Sequence, residues 1–493
     1  MSLRSKRLWF FGGLLMLVVV GCQPFYLITR AWLFDRHNKM PSAPGSVDDA
    51  SRMNETKVVE IWKVPAEPAD AEDQLRRLVQ RARTEKLGIS IAGAKHSMGG
   101  HTISPNGIVI DMLPFHRMEW FSEQKLLRVG AGARWSEIVP YLDARGFSVG
   151  IMQSNHDFSV GGSISVNCHG WQCRRPPIVD SVESFRLMTA NGDIVTCSRE
   201  SNSELFSLAL GGYGLFGIIL DVELRVVPNE RYRTEAEVIP SSQYYATFKQ
   251  KVHDDIGMAY GRLCVVPGEH FLKEAILTVF RKAPCEPKDI PPLRGLSNMT
   301  VRREVFRAQI GDVNGKKLRW KLEKTLGENS KGKFVSRNQL LNEPADVYQE
   351  QNADRTDILH EYFIPVEKIE DFLTRARVLF PKHPVDLLNV TVRDVREDRD
   401  TLLRYADQDM FAFVMLFNQP RTTVADAQMQ QFTSELIDAA LQCGGRYYLP
   451  YRLHASREQF RRAYPRSEDF FAKKQQYDPD SVFRNRFFAT YGP

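Results

Sequence analysis

Three loops rich in glycine and other small residues punctuate the first half of this 493-residue chain. They read ISIAGAKHSMGG (Ile89–Gly100), SVGGSISVNCHG (Ser159–Gly170) and LGGYGLFGII (Leu210–Ile219). Glycine and alanine let a backbone approach a ligand closely, and successive N–H groups in such a turn make a nest for anions. The first loop has no Lys-Ser/Thr pair after its glycines, as an ATP-type phosphate loop would, and it lacks the GxGxxG of a Rossmann turn. Taken alone it reads equally well as a plain strand–loop turn. Three such loops within one segment point to a single large, extended, phosphate-bearing ligand.

The segments between the loops alternate as strands do. KVVEIWKVP (Lys57–Pro65), GISIAG, GIVIDM (Gly107–Met112), LLRVGAGARW (Leu126–Trp135) and GIILDVELRVVP (Gly217–Pro228) are expected strands. Ala69–Lys86 and Ser136–Arg145 carry helical spacing, and Ser181–Ser198 folds as a hairpin about an Asn-Gly turn. This part is α+β. From about Arg231 to Gly445 the texture changes to long alternating strands around YGRLCVVPG, ILHEYFIPV, LNVTVRDV and MFAFVMLFNQ. Two amphipathic helices, Val366–Phe380 and Thr423–Gln442, back this second, antiparallel sheet. Pro284–Asn342 reads as irregular and basic. Within it, Gly315–Gly327 sets Leu318, Trp320 and Leu322 among lysines and arginines, as a solvated helix or a segment that docks on an anionic membrane.

The length suffices for two sizeable cores. A net charge of +6 spread over it, with no zinc-finger spacing and no arrayed basic helix, argues against nucleic acid as a partner. The seven cysteines lack a disulfide framework or paired metal spacing and read as buried thiols, so no metal is expected. At the N-terminus, Arg4, Lys6 and Arg7 precede an apolar run from Leu8 to Ile28, about the ~20 residues of a spanning helix. The basic flank places the N-terminus in the cytoplasm and the catalytic part outside it, in a single-pass arrangement. Rival readings are a lipoprotein signal cut at Cys22 and a degraded twin-arginine signal at Ser5–Phe10. The apolar continuation past Cys22 favours an uncleaved anchor, followed by a polar linker.

Together the loops carry a resemblance. The chain is similar to the FAD-binding PCMH-type enzymes, the vanillyl-alcohol oxidase and p-cresol methylhydroxylase superfamily. It most resembles their aldonolactone oxidase, alditol oxidase and decaprenylphosphoryl-ribose oxidase branch. That family's pyrophosphate loop G-x-x-H-S stands at Gly93–Ser97, its S-V-G-G-S-I-S…H-G beside the flavin at Ser159–Gly170, and its G-x-G-x-x-G-I-I at Gly212–Ile219. TANGDIV (Thr189–Val195), HEYFIPVEK, VTVRDV and the closing Tyr464–Phe488 extend the match over nearly the whole chain after the anchor. The resemblance implies a two-lobed FAD-binding domain over residues 57–232 and a substrate (cap) domain over 233–445 with a basic insertion at 284–342. A C-terminal segment, 446–493, returns to the active site. Residues 1–34 are then the anchor or signal and 35–56 the linker. FAD is the implied cofactor. Its expected contacts are Gly93, Ala94, Lys95, His96, Ser97, Met98 and Gly99 in the first loop. In the second they are Ser159, Val160, Gly161, Gly162, Ser163, Ser165, Asn167, His169 and Gly170. In the third they are Gly212, Gly214, Gly217, Ile218 and Ile219.

In covalent members the histidine before that serine bonds the flavin's methyl carbon, and His96 stands there; His101 does not match in spacing. SNHD (Ser154–Asp157) replaces the cysteine that doubly attached members use, so one bond is expected. Alditol-oxidising relatives carry Glu-x-Arg on a substrate-domain strand, where this chain has Thr391-Val392-Arg393. The arginine is kept and the carboxylate is not. Their lysine near the C-terminal strand is also missing from YLPYRLHAS (Tyr448–Ser456). Tyr451, Arg452 and His454 are the stand-ins, each with a packing or surface role as rival, and His169 is expected near the flavin or as a structural histidine. The expected function is FAD-dependent hydride removal from an alcohol carbon of a sugar, polyol or sugar lactone, with oxygen or another redox partner as acceptor. The alternatives are oxidation of a lipid-linked, polyprenyl-phosphate sugar and a flavin-binding subunit without turnover.

Overall fold

The computed structural model describes residues 24–34, 42–295 and 297–493. Most of the expected anchor lies outside them, and among the described residues no helix is long and apolar enough to cross a membrane. Residues 24–34 are helical. Leu27 and Ala31, one turn apart, pack this helix against Ala308 and Leu318.

The first glycine loop leaves a three-stranded parallel sheet, in which Ile108–Asp111 lies between Glu60–Lys63 and Ile89–Ala92. Parallel strands need a crossover. Helix Pro68–Thr84 supplies it and buries Ala71, Leu75, Leu78, Val79 and Ala82, the apolar stripe of a 3.6-residue period. The other two loops flank a six-stranded antiparallel sheet. Its order is Ile194–Ser198, Val182–Met188, Ile218–Pro228, Leu126–Gly130 and Met118–Phe121, with Phe147–Val149 added on Ile218–Pro228. The expected hairpin is Val182–Met188 with Ile194–Ser198, turned at Gly192, whose φ of +87° suits glycine.

The cap is an eight-stranded antiparallel sheet. Its order is Phe334–Ser336, Arg231–Pro240, Glu274–Lys282, Ile256–Leu263, Asp386–Val395, Met410–Pro420, Arg355–Pro365 and Arg446–Tyr447. Helix Ile369–Leu379 covers one face, with Phe372 on Tyr362 and Phe413. Side chains alternate along a strand, so Glu361, next to Tyr362, points to the opposite face. The chain end returns to the first lobe: Ile89 donates its N–H to Val482, Arg484 donates to Ile89, and Met98 donates to Pro450.

Two segments differ from expectation. The basic stretch 284–342 is largely helical, over Met299–Arg307, Val313–Ser330 and Arg337–Leu341. Val313–Ser330 is not wholly solvated: Trp320 is buried against Ala236, Cys264 and Ile276 and donates Nε1–H to Glu274 at 2.6 Å. Of the stretch read as a linker, residues 42–56 are packed in place. Asp49 accepts the Gly100 N–H at 2.7 Å, and Asn54 donates to the Met98 carbonyl at 2.9 Å. These polar residues satisfy one another and the first glycine loop.

Buried Arg307 ties helix Met299–Arg307 to the sheet, donating to Asp357 at 3.0 and 2.5 Å with Glu350 3.6 Å away. Arg307→Met leaves two buried carboxylates without their cation and is expected to cost about 3–5 kcal/mol. A urea titration of the purified protein reads this as a lower midpoint at unchanged slope.

Candidate active site

A cavity of about 970 Å³ lies where the three sheets meet, and all three glycine loops reach it. Ala92 ends the strand of the first loop, and Gly93 starts the turn. A Cβ on Gly93 would lie 2.0 Å from Ser159 Oγ, so only glycine lets the first loop touch the second. Ser159 Oγ then accepts the Ala94 N–H at 3.3 Å. Lys95 follows in the left-handed region, with φ of +57°. The loop brings His96 to the cavity wall, its ring 4.2 Å from that of Phe158.

Gly93 to Met98 all line the cavity, as do Ser159, Gly161, Gly162, Ser163, Ser165 and His169 of the second loop and Gly214, Gly217 and Ile219 of the third. The other expected contacts stand behind the wall. Val160 and Ile218 are core residues. Asn167 is held between Asp398 and the Val179 N–H. Gly99, Gly170 and Gly212 lie tight against the carbonyls of Tyr451, Met152 and Leu208. His101 also reaches the cavity, between Tyr213 and Phe487, and burial pushes its pKa down to about 3.

The wall fits a large polar ligand. Ser97 Oγ, Thr102 Oγ1, Trp171 Nε1, His169 Nδ1 and Arg393 Nε are buried there without a hydrogen-bond partner among the described residues. Buried polar atoms in native proteins are rarely left so unless a ligand or water completes them. FAD, with its pyrophosphate, ribityl hydroxyls and ring heteroatoms, has the extent and polarity to do this.

One end of the cavity holds a charged cluster that the sequence reading missed. Glu361 is buried and takes His169 Nε2 at 2.5 Å and the Tyr451 hydroxyl at 3.0 Å. Burial alone raises its pKa, but His169, Arg393 and Tyr451 outweigh burial and hold the carboxyl below its usual range. An ionised carboxylate only accepts, so His169 Nε2 and the Tyr451 hydroxyl both donate. Burial also pushes the Tyr451 phenol well above its usual range. Arg393 donates to the Ser154 hydroxyl at 2.9 Å and the His169 carbonyl at 3.3 Å. Thus His169, Arg393 and Tyr451 are brought together, with Glu361 between them. The signal for Glu361 was a carboxylate within the apolar strand ILHEYFIP, a position that is buried and needs a partner.

Arg452 and His454 are not at this site. Arg452 pairs with Asp426 at 2.6 Å and Asn54 at 3.0 Å, while His454 meets Thr433 at 3.1 Å. Both side chains, in an irregular segment after strand Arg446–Tyr447, are held by these partners behind the wall. Farther out, the chamber is lined by Arg262 and Arg319. Arg262 donates to Asn389 and Thr391 at 2.6 Å each, and Arg319 donates to Asn389 at 2.9 Å. Val301, Leu322 and Leu326 line the mouth.

Comparison with known proteins places this architecture. Residues 66–198 match the FAD binding domain, and residues 222–491 match the D-arabinono-1,4-lactone oxidase family. Decaprenylphosphoryl-beta-D-ribose oxidase of Mycolicibacterium smegmatis is 23% identical over 443 residues, covering 84% of this chain and 91% of its own. Cytokinin dehydrogenase 10 of Oryza sativa is 25% identical over 459 residues, covering 85% and 82%. L-gulonolactone oxidase of Bos taurus is 28% identical over 171 residues, and there the match spans only 34% of this chain and 38% of the relative. The cofactor of this chain is FAD, and it is an FAD-dependent oxidoreductase. Its second model spans more than half of the sequence, and the chain belongs to the D-arabinono-1,4-lactone oxidase family.

Proposed function

We propose that this protein is a membrane-anchored enzyme that oxidises a CH–OH group of a sugar, polyol or sugar lactone, with residues 8–28 as the anchor. The observation that carries the reading is the Glu361 cluster, set in the same cavity as the three FAD loops. Bound FAD supplies the hydride acceptor. His169, fixed as a donor to Glu361 through Nε2, presents Nδ1 to the donor's hydroxyl and takes its proton, the imidazolium that forms being stabilised by Glu361, while the Tyr451 oxygen can accept a hydrogen bond from the donor. Arg393 supplies a fixed positive charge where negative charge develops. The same cluster weighs against a subunit without turnover, since it sets an unspent imidazole nitrogen, His169 Nδ1, in the FAD cavity.

A lipid-linked sugar phosphate is the second reading. Arg262 and Arg319 share Glu323 as an ion-pair partner, which leaves one net positive charge among the three to meet an anionic group, and exposed Val301, Leu322 and Leu326 line the same cavity. The M. smegmatis relative, named for such a donor, is similar over most of both chains. Flavin bleaching in stopped flow separates the two readings. Aldonolactones or alditols bleach the flavin under the first, and only a detergent-dispersed polyprenyl-phosphate sugar does so under the second. Oxygen uptake during turnover identifies oxygen as the acceptor, and turnover that needs an added dye or quinone identifies another redox partner.

His96 is the proposed attachment point for the flavin. Acid precipitation is expected to leave the yellow colour on the polypeptide, and His96→Ala to release it while FAD still binds. Free flavin from the wild type overturns the linkage.

Glu361→Gln keeps the shape but removes the anionic acceptor. It is expected to lower kcat about 10²–10³-fold at unchanged flavin content. Because the folded pKa of Glu361 lies below its ordinary 4.5, its stabilising contribution is complete above about pH 4.5. It is lost as pH falls through the folded value. Thermal melts between pH 3 and 7 should therefore fall less steeply toward acid in Glu361→Gln than in the wild type.

A further inference from the structure

Among the described residues, nine of the fifteen exposed large apolar side chains belong to one corner of the molecule. Five are on helix 24–34: Phe25, Tyr26, Trp32, Leu33 and Phe34. This helix turns the small pair Leu27 and Ala31 to the protein and its largest side chains outward, with Phe25 72% exposed. Arg30 fixes it in that orientation by donating to Asp312 and to the Ile310 carbonyl, both at 3.1 Å. The remaining four are on the neighbouring helices Met299–Arg307 and Val313–Ser330. Leu318, Leu322 and Leu326 recur every four residues and form one stripe. Helix 24–34 covers Leu318; Leu322 and Leu326 are bare, the latter 64% exposed, and they line the mouth of the FAD cavity together with Val301.

A contiguous apolar surface of this kind marks a contact site. The chain itself indicates the occupant. The apolar run from Leu8 enters helix 24–34 directly, so whatever holds that run lies against this corner. Lys317 and Lys321 stand exposed beside the stripe, each one residue ahead of Leu318 and Leu322. An apolar stripe flanked by lysines suits a bilayer interface carrying anionic headgroups.

We propose that helix 24–34 and the Leu322–Leu326 stripe dock on the lipid bilayer, so that the FAD cavity opens at headgroup level. A donor or electron acceptor with an apolar tail then reaches the site from the lipid, while water-soluble ligands enter at the rim. The proposal rests on the anchoring proposed above only for bringing the corner to the membrane. The same anchor on a long tether would leave the body free in water.

The test uses the full chain in vesicles of phosphatidylcholine with 30% phosphatidylglycerol, about the anionic content that favours basic interfaces. An environment-sensitive fluorescent amino acid is placed at Leu326 or, as control, at Val378. Val378 is exposed on helix Ile369–Leu379, behind the opposite face of the cap sheet. Co-flotation with vesicles reports the anchoring, and quenching by lipids brominated on their acyl chains reports the face. The expected result is at least about twofold quenching at 326 and none at 378, because a docked stripe sits within the acyl boundary. Phe25→Glu combined with Leu33→Glu should abolish the quenching at 326 while leaving flavin content and detergent-phase turnover unchanged. Flotation with no quenching at 326, or with equal quenching at 326 and 378, overturns the docked face and leaves the anchor standing. Full quenching in the double variant removes helix 24–34 from the face, and failure to float refutes both readings.

Discussion

A carboxylate taken out of water must be paired, and the position of Glu361 shows how much of this fold follows from that requirement. It sits in an eleven-residue strand, Arg355–Pro365, whose residues turned away from the cavity, such as Tyr362 and Ile364, belong to the apolar core of the cap. Its partners come from elsewhere in the chain. His169 is brought by the second glycine loop of the FAD domain, Tyr451 by the returning C-terminal segment, and Arg393 by a strand two places away in the sheet. Remove any of these segments from its position and the buried anion loses one of its three stabilising partners. The cap, the FAD domain and the chain end are therefore joined at the same buried group to which the proposed function assigns the proton transfer.

The glycine loops solve a steric problem of the same site. At Gly93 the first loop must pass Ser159 of the second with no room for a side chain, which closes the wall between the parallel and antiparallel sheets. The close approach leaves Ser97, Thr102 and Trp171 directed at the cavity with hydrogen-bonding capacity unspent. Tight packing between the loops and open polarity toward the ligand thus arise from the same small residues.

The three loops were legible in the sequence because glycine marks close approach, and most strands were legible because alternation marks a sheet face. Residues whose roles depend on distant partners were not. Arg452 and His454 carry the right chemistry for catalysis, yet each is taken up by a partner on the helix Thr423–Gln442, Asp426 and Thr433. The segment 284–342 looked irregular because its helices bury few residues each, Trp320 being the main anchor of Val313–Ser330. The polar stretch before Thr56 looked like a tether because its satisfied partners, such as Gly100 and Met98, lie far along the chain. Glu361 was visible as a charge in an apolar strand, but only the sheet order gives it neighbours.

That sheet order also bears on the missing Glu-x-Arg carboxylate. Glu361 and Thr391 both pair with Val414, from opposite sides, so they face the same cavity two strand spacings apart, about 10 Å. Glu361 therefore does not stand in for a carboxylate at position 391, since it lies across the cavity wall from that position. What occupies the vicinity of Thr391 is Arg262, with Arg319 joined to it through Asn389. Where alditol-oxidising relatives carry an acid on this strand, this chain has two arginines that share a carboxylate, Glu323, 2.8 Å from Arg319 and 3.8 Å from Arg262. Because Glu323 offsets part of their charge, the two arginines offer a donor directed N–H groups more than a strong positive field. In the function proposed above, the remote end of the donor is then positioned by hydrogen bonds from this Arg–Glu network, while its reacting carbon lies toward the Glu361 cluster.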